Sequence, residues 1–191
     1  MLIQPTQISG LTILIPRRFN DLRGFFVETY NRRRMTEHGL NFDFVQDNLS
    51  LSIKAGTVRG LHFQRPPTAQ AKLVSVLRGA IFDVAVDLRL GSPSYGRHVA
   101  VRLSAEEGNH LMIPTGFAHG FCTLVPDTVV NYKVDAYYSA EDDGGLYWAD
   151  PALSIDWPVT ETAAELSDKD RRLPKLVDVA RCFVYDRNTA V

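Results

Sequence analysis

The sequence predicts an all-β fold, either a sandwich or a barrel, and three observations support this. Short β-rich runs, separated by turn residues, follow one another along most of the chain. Helical patterns are confined to short polar segments, whereas a βαβ fold needs long helices between its strands. The 191 residues are 45% hydrophobic and 23% charged, a composition typical of a globular domain with a buried core. We therefore expect a single domain over residues 1–191.

The predicted strands are runs that fit a pleated surface and end at turn residues. In chain order they are Leu11–Ile15, Gly24–Tyr30, Phe42–Ser52, Thr57–Phe63, Lys72–Arg78, Ile81–Leu88, His98–Leu103, Leu111–Ile113, Phe117–Leu124, Thr128–Val134 and Gly145–Trp148. Gly79 supplies a tight turn after Arg78, which predicts a hairpin of the two strands around it. Asp83 interrupts the second of these strands and would be costly inside a barrel without a partner.

The remaining segments predict little regular structure. Arg32–His38 is a short polar helix candidate, and its run of three arginines fits a solvated face better than a nucleic-acid site. The run from Asp150 to Pro158, rich in proline and aspartate, marks the end of the β-core and the start of an irregular C-terminal tail. Within that tail, Ser167–Asp170 can start one helical turn.

Charge and composition exclude several classes of function. The formal net charge is −1, so no overall basic field draws the chain to nucleic acid or to anionic lipid. The N-terminus lacks the pattern of a signal peptide and no stretch is long enough to cross a bilayer, which predicts a cytoplasmic protein. Cys122 and Cys182 form no Cys-x-x-Cys pair, so we expect buried, unpaired thiols.

A turn motif before the predicted strand Phe117–Leu124 narrows the fold to a cupin-type β-barrel (jelly roll). From Gly108 to His119 the chain reads Gly, five residues, Pro-x-Gly, two residues and His, which is the spacing of the second cupin motif. The glycines and the proline turn the chain sharply, so that His119 enters the barrel mouth. The alternative is an ordinary turn followed by a surface histidine.

The first cupin motif would hold a metal through a His-x-His pair and a carboxylate. The matching place here holds His62-Phe63-Gln64, and glutamine is a poor ligand for a transition metal. We therefore expect no metal and a barrel that transfers protons through histidine. Strand alternation predicts that His62 and Gln64 share one face, with Arg59 on the other. A structural role for His62 remains the alternative.

Seven ordered blocks resemble the dTDP-4-dehydrorhamnose 3,5-epimerase family, and they cover nearly the whole chain from about residue 20 to 170. They are Asp21–Glu28, Gln46–Ser50, Arg59–His62, Gln70–Val74, Arg78–Val84, Pro114–Phe121 and Ser167–Asp170. The resemblance implies epimerisation at carbons 3 and 5 of dTDP-4-dehydro-6-deoxy-glucose, giving dTDP-4-dehydro-L-rhamnose without a cofactor. One departure is an extra residue in the loop 53–56.

The resemblance also implies four catalytic roles. Removing a proton next to a ketone needs a base, a stabiliser for the enolate oxyanion and an acid on the opposite face. By resemblance these are His62, Lys72 and Tyr132, while Asp170 orients His62. From the residues alone, Tyr132 is a structural aromatic and Ser167-x-x-Asp170 is a helix cap. We expect Asp83, on the next strand of the predicted hairpin, to be the counter-charge of Lys72.

The substrate-binding set is likewise implied by the resemblance. A diphosphate suits arginine, and a thymine ring suits an aromatic face and amide groups. Residues that resemble such contacts within one subunit are Arg59, His119, Gln46, Asn48 and the base-stacking Tyr138. Arg23, Phe26 and Glu28 resemble residues supplied by a neighbouring subunit, which implies a homodimer with shared active sites. Alternation along the predicted strand places Phe26 and Glu28 on one face and Arg23 on the other.

Three other functions remain open at this stage. An epimerase that inverts a single carbon of a related dTDP-4-keto-deoxysugar would use the same base. A sugar-binding cupin without catalysis would not need base, acid and oxyanion stabiliser together. A metal-dependent cupin oxygenase would need the ligand pair that this sequence lacks.

Overall fold

The computed structural model describes residues 1–186, and this part of the chain is almost entirely β-structure. The strands are, in chain order, β1 (Leu2–Pro5), β2 (Thr12–Ile15), β3 (Arg18–Asp21), β4 (Gly24–Val27), β5 (Gln46–Ser52), β6 (Val58–Gln64), β7 (Lys72–Arg78), β8 (Ala80–Asp87), β9 (Arg89–Leu90), β10 (His98–Ser104), β11 (His110–Ile113), β12 (Phe117–Thr123), β13 (Thr128–Val134), β14 (Asp143–Gly145) and β15 (Phe183–Val184). One short helix, α1 (Arg32–Glu37), follows β4. No helix within residues 1–186 is long and apolar enough to span a membrane.

Two antiparallel sheets enclose the core. The larger has the strand order β1-β2-β11-β7-β13-β5, and the smaller has the order β10-β8-β12-β6-β14. The main core cluster draws apolar side chains from both sheets, for example Val74 and Leu111 from the first and Ile81, Val99 and Phe121 from the second. The predicted cupin-type jelly-roll β-barrel is therefore confirmed. The catalytic candidates lie where polar side chains replace this core between the sheets.

Strand β5 forms one edge of the larger sheet and reverses the usual distribution of side chains. Gln46, Asn48 and Ser50 face inward and are partly buried, while Leu49 and Leu51 are exposed on the outer face. Strand alternation produces both rows at once. The strand therefore contributes a polar wall to the interior.

The predicted strand positions agree with the structure in the middle of the chain and less well at its ends. Lys72–Arg78 and Thr128–Val134 are strands over the predicted residues. The strand predicted at Gly145–Trp148 is wrong, because β14 ends at Gly145 and Trp148 is buried in a separate cluster against the C-terminal tail. Strands β1, β3, β9 and β15 were not predicted; they are short, and each depends on its pairing partner rather than on a strong local pattern.

The hairpin predicted around Gly79 is also wrong. Strands β7 and β8 follow each other directly, but β7 pairs with β11 and β13, whereas β8 pairs with β10 and β12. Gly79 has a φ of +82°, so the tight turn is present, but it carries the chain from one sheet to the other. A local turn pattern cannot tell a hairpin from such a corner.

The C-terminal tail is ordered against the outer face of the smaller sheet. Leu153 and Phe183 pack with Leu61 and Leu146, and β15 pairs in parallel with β9. Three single-turn 3-10 helices lie along it, namely Pro151–Leu153, Asp170–Arg172 and Leu176–Asp178. The tail thus brings Asp170 to β6. Cys122 is buried as predicted, Cys182 is partly buried, and neither forms a disulfide within the described residues.

Candidate active site

Two adjoining hollows open between the sheets, and four side chains line both of them: His62, Lys72, Tyr132 and Lys169. One hollow, of about 220 Å³, also contains Arg59, His119 and Asp170, and we call it the Arg59 hollow. The other, of about 170 Å³, also contains Gln46, Asn48 and Tyr138, and we call it the Tyr138 hollow. His62 comes from the smaller sheet, while Lys72 and Tyr132 come from the larger sheet.

A larger cavity, of about 500 Å³, lies elsewhere, beside β15 and the loop before β12. Its walls are mostly apolar side chains and backbone, and its one arginine, Arg89, is held by the buried carboxylate of Asp87. The histidines, lysines and tyrosines of the described residues do not line it. Size therefore does not identify the site; the grouping of acid, base and cation does.

A β-bulge in β6 sets the direction of the arginine in the Arg59 hollow. His119 on β12 faces His62, whereas Phe121, two residues later, faces Arg59, three residues earlier. The extra residue lies at Gly60, whose φ is +118° and whose missing Cβ would come within 2.6 Å of Gly120 Cα. The bulge turns Arg59 to the side of His62. The prediction that alternation places Arg59 on the opposite face is therefore wrong.

His62 is bonded to a buried carboxylate. Its Nε2 lies 2.5 Å from Oδ1 of Asp170, and the Asp170 side chain is almost completely buried. Burial raises the pKa of Asp170, but hydrogen bonds from His62, Ser167 and the backbone N–H of Gly60 outweigh that effect and hold it below its usual value. Because a carboxylate accepts, Nε2 of a neutral His62 carries the proton and Nδ1 keeps the free electron pair.

The helix-cap alternative for Asp170 is met only in part, because the single-turn helix Asp170–Arg172 has Lys169 at its N-cap position and no side-chain cap. The backbone N–H of Asp170 donates to Oγ of Ser167 at 3.1 Å, as a capping serine predicts. The bond to Ser167 therefore holds the backbone of Asp170, while the carboxylate bonds to His62.

Lys72 is a buried cation beside this pair. Its Nζ donates to the backbone carbonyl of His62 at 3.2 Å. Burial lowers the pKa of Lys72 to about 8, against the opposing charges of Asp143 and, less strongly, Asp83. Asp83, predicted as the counter-charge of Lys72, does raise the pKa of that lysine, but less than Asp143 does, and its hydrogen bond goes to another side chain. Asp83 is completely buried and its Oδ1 lies 2.8 Å from Nε2 of His119.

Tyr132 lies on β13, between Val74 of β7 and Asn48 of β5. It packs against the edge of the main core and lines both hollows. Burial raises the pKa of Tyr132 above its ordinary value, and the charge of Arg59 opposes this only in part. The phenol therefore keeps its proton at neutral pH.

The other predicted binding residues fall into two groups. Arg59, His119, Gln46, Asn48 and Tyr138 line one hollow or the other. Arg23, Phe26 and Glu28 do not reach the hollows of their own chain. Arg23 is 90% exposed and pairs with Asp21, and Glu28 pairs with Arg34.

The prediction that strand alternation places Phe26 and Glu28 on a common face is wrong, because only Phe26 lies in a strand. Strand β4 ends at Val27, so Glu28 lies beyond it, and Arg23 lies in the turn before it. Phe26 is 69% exposed on this small antiparallel pair.

Several lining residues escaped the sequence analysis. Asp143 and Lys169 form an ion pair in the Tyr138 hollow, and Gln70 lies beside them. Ser50 lines the Arg59 hollow, where its buried hydroxyl has no hydrogen-bond partner in the described structure. The alternation of polar residues with exposed leucines along β5 was the available sign for Ser50. Within residues 1–186, no three His, Cys, Asp or Glu side chains are grouped so that they could hold a metal ion.

Comparison with known proteins gives one consistent family. The sequence profile described as dTDP-4-dehydrorhamnose 3,5-epimerase matches residues 5–178. The dTDP-4-dehydrorhamnose 3,5-epimerase of Sinorhizobium fredii is 50% identical over 185 residues, which are 97% of this chain and 94% of that protein.

Two crystal structures extend the similarity to three dimensions. The dTDP-4-dehydrorhamnose 3,5-epimerase of Bacillus anthracis, with TDP and PPi bound, is 52% identical with a TM-score of 0.89, covering 91% of this chain and 98% of that one. The dTDP-6-deoxy-D-glucose-3,5-epimerase of Legionella pneumophila, in complex with dTDP-4-keto-L-rhamnose, is 44% identical with a TM-score of 0.92, covering 97% and 98%.

Proposed function

The chain belongs to the dTDP-4-dehydrorhamnose 3,5-epimerase family, and we propose that it epimerises carbons 3 and 5 of dTDP-4-dehydro-6-deoxy-glucose with the His62–Asp170 pair as its base. The product is dTDP-4-dehydro-L-rhamnose. The observation that carries this proposal is the arrangement of a base and an acid on opposing sheets: His62 and Tyr132 line the same two hollows from opposite sides. A sugar ring between them has one group on each face.

The first step is removal of a proton from a carbon next to the 4-keto group. Nδ1 of His62 takes the proton, because Nε2 is bonded to Asp170. The buried carboxylate then stabilises the imidazolium without itself taking the proton, as in other histidine–carboxylate pairs. The electron pair of the broken C–H bond moves into the ring and produces an enolate oxyanion at the former ketone.

Lys72 is the group that stabilises this oxyanion. A buried ammonium acts strongly on developing charge because no water screens it. Its pKa of about 8 leaves it mostly protonated at neutral pH. The hydrogen bond to the backbone carbonyl of His62 keeps the Lys72 ammonium close to the catalytic base. The cation that stabilises the oxyanion and the group that takes the proton are therefore neighbours.

Tyr132 completes the inversion by protonating the carbon from the opposite face. The raised pKa of the buried phenol keeps its proton available at neutral pH. Return of the proton from His62 instead would restore the original configuration. The same two groups serve carbons 3 and 5 in turn if the ring presents each carbon to them.

The test is incubation with dTDP-4-dehydro-6-deoxy-glucose in deuterated water while the sugar protons are followed by NMR. Exchange and inversion at both carbons support the proposal. Exchange at one carbon only would identify a single-carbon epimerase, and binding without exchange would identify a sugar-binding cupin; either result contradicts the proposal.

Arg59 and His119 are the proposed contacts of the sugar diphosphate, and Tyr138 is the proposed stacking partner of the base, with Gln46 and Asn48 beside it. Arg23, Phe26 and Glu28 are proposed to complete the site of a partner subunit in a homodimer. This is supported by their absence from the walls of the two hollows of their own chain and by the exposure of the small β3–β4 sheet on or beside which they lie. The apolar outer row of β5 supplies a further surface that association would cover.

Mixing two inactive variants tests the shared site. His62→Ala removes the base and Arg23→Ala removes the donated arginine. A heterodimer of the two then contains one site in which both are intact, so exchange activity should rise from near zero toward a quarter of the wild-type value. Confirmed heterodimers without recovery would place Arg23 and His62 in the site of one chain and refute the shared arrangement.

A further inference from the structure

Residues 136–139, which follow β13, pair with no strand in the described part of the chain, yet the backbone of each residue accepts a hydrogen bond from a glutamine side chain or donates one to it. The carbonyl of Ala136 accepts from Nε2 of Gln70 at 2.9 Å. The N–H of Tyr138 donates to Oε1 of Gln46 at 3.2 Å. Gln64 binds the residues on either side of Tyr138, namely Tyr137 and Ser139. Three glutamine side chains thus replace the ladder of hydrogen bonds that a strand would have.

Gln64 makes the central contacts. Its Nε2 donates to the carbonyl of Tyr137 at 3.2 Å and to the carbonyl of Thr68 at 2.6 Å. Its Oε1 accepts the N–H of Ser139 at 2.8 Å. The side chain is 4% exposed, so these bonds form away from bulk water and their loss would leave buried polar groups unpaired.

Both N–H groups of Gln64 are used in this way, and a primary amide has only two. Gln64 therefore has no donor left for a bound ligand, although it lines the Tyr138 hollow. Its bonds hold the residues immediately before and after Tyr138. Tyr138 is 61% exposed at the mouth of the hollow, and apart from a long hydrogen bond from its hydroxyl to Asp143 at 3.4 Å its position depends on the backbone beneath it.

We propose that Gln64 is a positioning residue that fixes Tyr138 for stacking on the nucleotide base, a role that rests on the proposed function. A stacking platform contributes most when it is ordered before the ligand arrives, because binding then costs less conformational entropy. Gln64 follows His62 by two residues on the same face of β6. Strand β6 therefore carries the catalytic base, His62, at one end of the substrate. It also positions the stacking residue Tyr138 at the other end, through Gln64.

The experiment is a double-mutant cycle on the affinity for dTDP, measured by calorimetry. Gln64→Met keeps the length and apolar stem of the side chain but removes every hydrogen bond. We expect Gln64→Met to weaken dTDP binding about 10-fold, since stacking contributes between about 5- and 150-fold per base. In a Tyr138→Ala background the same change should cost less than about twofold, because the platform is already gone.

Two further measurements separate positioning from a general loss of structure. The exchange rate at saturating substrate should stay within about twofold of wild type, because His62 keeps its partner Asp170. Gln7→Met, at an exposed position, is the matched control for introducing methionine. If Gln64→Met does not fold, Gln70→Met removes a single bond to the same segment and should follow the same non-additive pattern with a smaller loss.

The proposal is overturned by unchanged dTDP affinity in Gln64→Met, by fully additive losses in the cycle, or by a Tyr138→Ala variant that binds dTDP as wild type does. Failure of the proposed function is distinguished by the wild-type protein: exchange at one carbon only, or no exchange, contradicts that function whatever the dTDP affinities of the Gln64 variants are.

Discussion

Replacing Asp170 by asparagine tests the assignment of the two nitrogens of His62. The carboxylate accepts from Nε2 of His62 and from the backbone N–H of Gly60. An asparagine in its place satisfies the Gly60 N–H only with its carbonyl oxygen, which turns its NH₂ toward Nε2. The proton of His62 then moves to Nδ1, the atom that has to receive the substrate proton.

The size of the effect follows from two contributions. Loss of a hydrogen bond to a charged partner costs about 1.5 to 3 kcal/mol, which is about 10- to 150-fold in rate. Asp170→Ala should lose about that much, because water can still accept from Nε2. Asp170→Asn adds the wrong tautomer, and in the trypsin triad the equivalent change lowers kcat about 10⁴-fold. We therefore expect Asp170→Asn to lose about 10³- to 10⁴-fold and to be the worse variant of the two.

The measurement is deuterium wash-in at carbons 3 and 5 under saturating substrate, with circular dichroism to confirm that both variants fold. Asparagine is closer in shape to aspartate than alanine is, so packing alone predicts the opposite order. An Asp170→Asn variant as active as Asp170→Ala, or more active, would refute the assignment of Nδ1 as the base.

Three other predictions follow from the same geometry. Lys72→Ala should lower turnover about 100-fold or more. Because the wild-type ammonium is protonated mainly below its pKa of about 8, kcat/KM of the wild type should fall above that pH. If Lys72→Arg shows the same alkaline fall in kcat/KM, Lys72 is not the group that causes it. Tyr132→Phe should slow the completed inversion more than it slows deuterium wash-in, since His62 can still form the enolate; equal slowing would indicate a packing role. Gly60→Ala should destabilise the fold by about 2 to 5 kcal/mol in urea unfolding, because its Cβ would meet the backbone of Gly120. Gly24→Ala is the matched control, with a φ of +130° but open space around it, and it should cost clearly less.

The sequence was most informative where residue type and spacing carry the chemistry. His62, Lys72, Tyr132 and Asp170 were selected by resemblance, and the fold brings all four to adjoining hollows. The prediction of an all-β fold succeeded because strand patterns are strong in the buried centre of both sheets. The roles of these residues stay predictions until the exchange experiments are done.

The failures share one physical cause, which is that pairing partners are not encoded locally. A turn at Gly79 is readable, but whether it joins neighbours in one sheet or crosses between two depends on strands far along the chain. The partner of Asp83 was missed for that reason. The bulge at Gly60 arises from close approach to Gly120, sixty residues away in sequence, so simple alternation placed Arg59 on the wrong face.

Strand β5 is locally frustrated. A slip of one residue along β13 would exchange its two faces, and Leu49 and Leu51 would then enter the hollows in place of the polar row. Burial of the two leucines favours the slipped frame, but Asp47 would turn inward with them and lose its ion pair with Lys133. Polar contacts also keep the native frame: Arg59 donates to the carbonyl of Leu51 and to Oγ of Ser52, and Asn131 donates to the carbonyl of Asn48.

A partner subunit that covered the leucines would remove the bias toward the slipped frame. Association and correct strand alignment would then be thermodynamically coupled, and dilution of a homodimer would threaten the active site through misalignment of β5 as well as through loss of donated residues.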